Sequence, residues 1–409
     1  MKVPNYDFKR IETEMQEFWD KQGIRKKANA KNKDGKTFYF LDGPPYTSGK
    51  VHLGTAWNKS LKDTFIRYKR MKGFNIWDRA GYDMHGLPTE HATEKKLGIN
   101  GKEEIIKMGV EAFIKECEKL CIENMRVMNT DFRRLGVWMD FENAYQSIKP
   151  EFIEGVWWVV KKAHEQGRLY EGLRTMPWCP TCASAVAKHE LEYKNVTDTS
   201  IFVKLKITGT PNDYLIIWTT TPWTIPYNLG VMVNPEIEYV KCKVDSEHWW
   251  VAKTLANVFV TSVAGKNLEI VEEILGAELE GIAYEHPFAD VIPEYARIKK
   301  KSPKAHTVLL SSEYVDTTAG TGLVHCAPGC GPEDYEVGHR NKIPAYNTTD
   351  ERGVFPQEMR EFAGFVARAD DKKFIEALRT RGAIIAKNPV QHDYAHCWRC
   401  HYPVLVRTP

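Results

Sequence analysis

Two Cys-x-x-Cys pairs, Cys179-Pro180-Thr181-Cys182 and Cys397-Trp398-Arg399-Cys400, constrain this chain more than any other feature. Each pair presents two thiolates from one turn, and four thiolates complete a tetrahedral zinc site with Zn–S near ~2.3 Å. One shared structural zinc would hold both pairs together, so residues 183 to 396 must leave and return at one place, as an inserted domain does. A redox role would need a thioredoxin-like βαβ setting around a pair, and neither pair has one. Cys117, Cys121, Cys242, Cys326 and Cys330 are expected to serve packing. An odd total of nine cysteines, with two metal-spaced pairs, speaks for a reducing compartment rather than a disulfide framework.

The texture of the chain changes where an insertion requires it. Between about 196 and 390, short runs of β formers (Ile201 to Ile207, Tyr214 to Trp218, Gly230 to Val233) alternate with turn residues. Before them the period is helical. Phe8, Ile11, Met15, Phe18 and Trp19 predict an amphipathic lid over 7–22, and further helices are expected over 103–134 and 150–166. Thr37-Phe38-Tyr39-Phe40-Leu41 reads as a strand that must end at Asp42-Gly43-Pro44-Pro45. A helix then starts at His52, with Leu53, Trp57, Leu61, Phe65 and Tyr68 as its apolar stripe. Lys59, Lys62, Asp63, Arg67 and Lys69 stand opposite, and Gly73 stops the helix. This strand, loop and helix predict the start of a doubly wound α/β domain.

Gly43, Gly49 and Gly54 allow close backbone approach around that helix start, where free N–H groups favour an anion such as a nucleotide phosphate. His52 is placed to donate to it. The Walker pattern is absent, because Gly49-Lys50 is followed by Val51. Charge over the whole chain gives no help: 57 Lys plus Arg against 54 Asp plus Glu leaves +3, so any nucleic-acid contact must come from local patches. Apolar runs such as Val156 to Val160 fall far short of the ~18 residues of a membrane span. The start, Met1-Lys2-Val3-Pro4-Asn5-Tyr6-Asp7, has no apolar signal segment, so a cytoplasmic location without membrane contact is expected.

The run Asp42-Gly43-Pro44-Pro45-Tyr46-Thr47-Ser48-Gly49-Lys50-Val51-His52-Leu53-Gly54-Thr55 is followed by Asn58-Lys59 and by Gly81-Tyr82-Asp83-Met84-His85-Gly86-Leu87-Pro88. Together they resemble the ATP-binding region of the isoleucyl-tRNA synthetases, a family of class I aminoacyl-tRNA synthetases. The resemblance implies an α/β, Rossmann-like catalytic domain, first half only, with an inserted β-rich editing domain. It implies that Pro45, Gly49, His52, Gly54 and Thr55 bind ATP, which brings magnesium as part of the substrate. Gly43, Pro44 and Asp83 would bind the amino acid, the Asp83 carboxylate meeting its ammonium group. Thr55 stands where the His-Ile-Gly-His element has its second histidine; it can donate a hydrogen bond but carries no positive charge.

Two segments of the insertion also resemble that family. Trp218 to Asn228 concentrates hydroxyls beside prolines, and Gly320 to Tyr335 carries one histidine and a late aspartate. By the resemblance Thr219, Thr220, Thr221, Thr224 and Asn228 position an ester and water, His325 helps bind the amino-acid or ribose end, and Asp334 holds the ammonium. Cys330 occupies a position where many members carry another histidine. Such a site has a physical purpose. Valine is isoleucine less one methylene, and the isoleucine enzyme is itself the standard case of how little a hydrophobic pocket gains from that group.

The expected organisation is therefore 1–195 as the first half of the catalytic domain with the first zinc knuckle, 196–390 as the editing insertion, and 391–409 as the second knuckle and return. Without a Lys-Met-Ser-Lys-Ser loop, the chain reads as the N-terminal portion of an isoleucine-tRNA ligase that edits misattached valine. Isoleucine tRNA, isoleucine and ATP are the expected partners; the sequence leaves the oligomeric state open, with a monomer expected. A free-standing editing hydrolase, a tRNA-binding module and a valyl-tRNA synthetase are the alternatives.

Overall fold

The computed structural model describes residues 6–99 and 101–408. They form two compact units that divide between Tyr170 and Glu171. No described helix is long and apolar enough to cross a membrane.

In the first unit, Thr37–Leu41 pairs in parallel with Asn75–Arg79, and the connection between them contains the helix Leu53–Met71. A parallel pair needs such a crossover. A second short parallel pair joins Gly81–Tyr82 to Tyr145–Gln146. Only glycine fits at position 81, since a Cβ there would lie 2.0 Å from the Tyr145 ring. The helix expected over 103–134 is broken at Gly109 into Lys102–Met108 and Val110–Arg134, because Gly109 takes φ +96°. Ile66, Tyr82, Met84, Met128, Phe132 and Met139 form the centre of the core.

The helix Leu53–Met71 faces the opposite way from its apolar stripe. Leu53 and Trp57 are 85% and 68% exposed, and Leu61, Phe65 and Tyr68 are exposed as well. The buried face carries Lys59, Asp63, Ile66 and Arg70. Internal pairing makes this tolerable: Lys59 and Lys62 both reach Asp42, Arg70 reaches Asp78 at 3.1 Å, and Asp63 accepts the Trp138 N–H at 2.7 Å. Charges can lie inside when each finds a partner. The expected lid is the helix Phe8–Gln22; none of its residues is fully buried, and Trp19 packs edge-on against Trp138.

The second unit is built on a ten-stranded mixed sheet. Its longest component is an antiparallel ribbon of Leu191–Ile207 and Ile384–Cys397, in register from Leu191 opposite Cys397 to Phe202 opposite Ala386, with a bulge before Val203 opposite Ile384. The expected boundary at 195 falls inside the first of these strands, and the contact division lies instead at 170/171. At the far end of the ribbon a small sheet of Leu405–Arg407, Met176–Cys179 and Ser184–Ala185 carries the first cysteine pair. Near the centre of the main sheet, Val324–Cys326 lies between Asp213–Thr219 and Gly230–Val233, with Val324 opposite both Trp218 and Met232. That register brings the segments 218–228 and 320–335 side by side. Behind them is one large core including Ile217, Trp223, Tyr227, Val231, Leu309 and Phe374.

Candidate functional site

The two insertion segments enclose a cavity of about 320 Å³. Its lining includes Thr219, Thr220, Thr221, Thr224, His325 and Asp334, six of the seven residues expected there. Asn228 is not part of the wall: it is buried behind His325, donating from Nδ2 to His325 Nδ1 at 2.8 Å. On its other side, His325 Nε2 lies 2.9 Å from Thr224 Oγ1. The hydroxyls continue as an array, with Thr221 Oγ1 3.2 Å from Thr224 Oγ1 and 3.0 Å from Thr219 Oγ1. Burial pulls the His325 pKa down to about 3, so its ring is neutral near neutral pH.

Asp334 lies in the first turn of the helix Pro332–Arg340, and its Oδ1 accepts the Ala327 N–H at 3.0 Å. Gly331 precedes that helix without a Cβ because a Cβ would stand 2.0 Å from Asp334 Oδ2. Burial pushes the Asp334 carboxyl up to about 7, and among the described residues no cation is paired with it. A desolvated carboxyl without a counter-charge marks a candidate functional site. Sequence reasoning missed Tyr314, Asp316 and Thr318 on the same wall. The signal was the hydroxyl-rich Asp316-Thr317-Thr318-Ala319 directly before Gly320.

The four cysteines converge. Ligand atoms of Cys179, Cys182, Cys397 and Cys400 all lie within 4.8 Å of one another, and Cys179 Sγ is 3.4 Å from Cys400 Sγ. Tetrahedral thiolates about 2.3 Å from one ion would stand about 3.8 Å apart, so the donor set and its spacing fit zinc. The thiols already share charge unevenly. Hydrogen bonding, chiefly from Cys182, pulls Cys179 down to about 5, while donating that bond pushes Cys182 up, and burial pushes Cys400 up to about 11.

In the first unit, a cavity of about 360 Å³ is lined by Gly43, Pro44, Pro45, His52, Gly54 and Thr55, together with Asn58, Lys59 and Lys62. His52 caps its helix, Nδ1 accepting the Thr55 N–H at 3.3 Å while Nε2 lies 2.9 Å from Thr55 Oγ1. A Cβ on Gly54 would press on that ring at 3.1 Å. Gly49 and Asp83 do not line the cavity. The Asp83 backbone is tied to the loop, donating to Pro45 O at 2.9 Å and accepting from Thr47 N at 3.1 Å; burial raises its carboxyl pKa. Two lysines stand beside the histidine, both paired with Asp42. Lys62 Nζ donates to Asp42 Oδ1 at 2.7 Å and to Gly43 O at 3.0 Å. Burial lowers the Lys59 pKa, opposed by Asp42.

A glycine-rich loop on a helix start and a separate hydroxyl-lined pocket in a β-rich unit accord with what sequence comparison finds: the chain belongs to the class I tRNA synthetases, matching the family described as "tRNA synthetases class I (I, L, M and V)" over residues 14–319. Its similar relatives are narrower in name. It is 44% identical to the isoleucine–tRNA ligase of Pyrococcus abyssi (strain GE5 / Orsay), over 98% of this chain and 38% of that protein. It is 42% identical to the isoleucine–tRNA ligase of Methanocaldococcus jannaschii, over 99% of this chain and 40% of that protein. The chain thus spans about two fifths of the length of these relatives. Among solved structures, a ternary complex of Agrobacterium radiobacter K84 agnB2 LeuRS, tRNA and LeuAMS aligns with 98% of this chain and 49% of its own, at TM-score 0.36 and 15% identity, too low a score to carry an argument.

Proposed function

We propose that this chain serves the ATP-dependent attachment of isoleucine to its tRNA, and that its β-rich unit hydrolyses valine misattached to that tRNA. The observation that carries the reading is the uncompensated Asp334 carboxylate across a small cavity from a threonine array. An aminoacyl ester brings an ammonium for Asp334 and ribose hydroxyls for Thr219, Thr220, Thr221 and Thr224. Water adds to the ester carbonyl, the acyl carbon to ribose oxygen bond breaks, and the water proton ends on that oxygen. Free valine and deacylated tRNA leave. Asn228 and His325 hold the threonine side of the pocket in place.

In the first unit, Pro45, Gly49, His52, Gly54 and Thr55 take the ATP phosphates with their magnesium, assisted by Lys62. Gly43, Pro44 and Asp83 take isoleucine. A structural zinc on Cys179, Cys182, Cys397 and Cys400 fastens the far end of the ribbon, in a cytoplasmic protein expected to act as a monomer. The test is single-turnover deacylation of valyl-tRNA for isoleucine by the whole chain, with the isoleucyl form spared. Asp334→Ala should lower the rate about a hundredfold or more, as loss of a buried charge partner does. Unchanged deacylation by that variant would sink the assignment. Metal analysis should find about one zinc per chain, lost in Cys397→Ser.

A further inference from the structure

Behind the proposed hydrolytic pocket, residues 284–306 supply a set of buried donors that the reaction does not touch. His286 Nε2 lies 3.0 Å from Ile225 O, the Tyr295 hydroxyl donates to Pro226 O at 2.6 Å, and His306 Nε2 lies 3.2 Å from Asn228 O. The His286 ring accepts the Phe288 N–H on Nδ1 at 3.0 Å, so its proton sits on Nε2, facing the carbonyl. These donors hang the loop that carries Thr224 and Asn228 from the core. A fourth, the Tyr284 hydroxyl, donates to Asn228 Oδ1, with both residues almost fully buried.

The protons in this cluster can be followed atom by atom. Gly230 O accepts from Asn228 Nδ2 at 2.8 Å, and a carbonyl can only accept, which fixes the amide orientation. With the amide so oriented, the Tyr284 hydroxyl donates to the amide oxygen on the other side. The second Nδ2 hydrogen then points at His325 Nδ1, which must be bare. A neutral ring has one proton, and it is left on Nε2, directed at Thr224 Oγ1; the Thr224 hydroxyl in turn donates to Thr221 O at 2.8 Å.

We propose that Asn228, oriented by Gly230 O, is a positioning residue that locks His325 in the Nε2–H tautomer, so that the pocket histidine is a hydrogen-bond donor to Thr224 and not a general base. The kinetic half of this rests on the hydrolytic reading above; the tautomer does not. The lock explains why a histidine beside three hydroxyls does not activate one as a nucleophile: the nitrogen facing them has no lone pair to give. Water attack is then favoured by placement, and the threonine array keeps one arrangement through the cycle.

The experiment is nitrogen-15 NMR of the whole chain labelled at histidine, with the His325 signals identified by their loss in His325→Gln. At about pH 7 the ring should be neutral and protonated on Nε2 alone. Asn228→Ala should mix the tautomers and lower kcat for valyl-tRNA hydrolysis about tenfold with KM unchanged, the rate equivalent of one buried hydrogen bond, whereas Tyr284→Phe, which leaves Gly230 O to orient the amide, should keep the Nε2 proton. Asn228→Asp, whose carboxylate can only accept, should move the proton to Nδ1. A wild-type ring protonated on Nδ1 or on both nitrogens would overturn the proposal. So would Asn228→Ala with an unmixed tautomer, or with mixed tautomers and full kcat. A wild-type chain with the expected spectrum but no hydrolysis would overturn the hydrolytic reading and leave the lock standing.

Discussion

The two units differ in what they bury beside their apolar cores. The β-rich unit buries an apolar core that runs continuously behind its pocket, from Ile217 and Val231 to Phe374 and Leu378. The N-terminal unit buries a smaller apolar core, around Ile66, Tyr82 and Phe132, and adds paired charge to it, with Lys59 and Lys62 on Asp42 and with Arg25 and Arg70 on Asp78. It leaves Leu53, Trp57 and Leu61 outside, and the helix Pro150–Glu165 has no fully buried residue, with Trp157 and Trp158 exposed. The difference has a chemical consequence. Under the proposed function, the hydroxyls of the β-rich pocket are held at the edge of an apolar core, while the lysines beside the glycine-rich loop are anchored by the buried Asp42.

The comparison breaks most visibly at Asp42. Its removal leaves the Lys59 ammonium buried with no partner, so Asp42→Ala should destabilise the N-terminal unit by about 3–5 kcal/mol. In a denaturant titration followed by circular dichroism, the transition of that unit should move and the other should stay. Leu309→Ala should do the reverse, at about 2–5 kcal/mol, since Leu309 lies in the core of the second unit. If either variant shifts both transitions equally, the two units do not unfold independently and the contrast between their interiors has no thermodynamic meaning. Lys59→Met should be milder than Asp42→Ala, at about 1 kcal/mol, because Lys62 still pairs with the carboxylate and the buried charge itself is gone.

Those charges also mark the limit of what could be read from the sequence. The helix from Leu53 was legible as an element, and so was its division into an apolar and a charged face. Which face turns inward was not, because periodicity reports that two faces differ and tertiary partners decide which is buried. Asp42 and Asp78, at or near the ends of neighbouring strands, are those partners, and nothing local to the helix announces them. The cysteine pairs fared differently: thiols at metal spacing have few other uses, so their convergence followed from chemistry alone. The threonine run and His325 were expected at one site only through the family resemblance, since neither segment's own chemistry announces the other. Asn228 was placed on the pocket wall when it stands behind it, since hydrogen bonding to Gly230 and Tyr284 is a matter of strand order invisible in the local sequence. Strand Leu191–Ile207 begins ahead of the expected change in texture because its first half pairs with only one neighbour and keeps a polar, alternating pattern.

The smallest effect separates stability from function at one carboxylate. Burial raises the Asp334 pKa to about 7, whereas an unfolded aspartate titrates near ~3.9. The folded chain therefore holds this proton more tightly than the unfolded chain does. The resulting stability is fully present below about pH 4 and is lost as pH rises through about 7. Asp334→Asn keeps an oxygen for the Ala327 N–H and removes the ionisation. Its stability relative to the wild type should rise from about pH 4 and level off above about pH 7, with a gain of order 1 kcal/mol or more at the upper end. Taking the difference between the two proteins at each pH cancels the buried histidines, which titrate alike in both. The same variant should fail to capture the ammonium of a misacylated ester, and wild-type hydrolysis should weaken as pH falls below about 7 while Asp334→Asn shows no such fall. A variant less stable than the wild type at about pH 8 would mean that the carboxylate already has a counter-charge in the folded chain, and a pocket with that charge satisfied would have no reason to bind an amine.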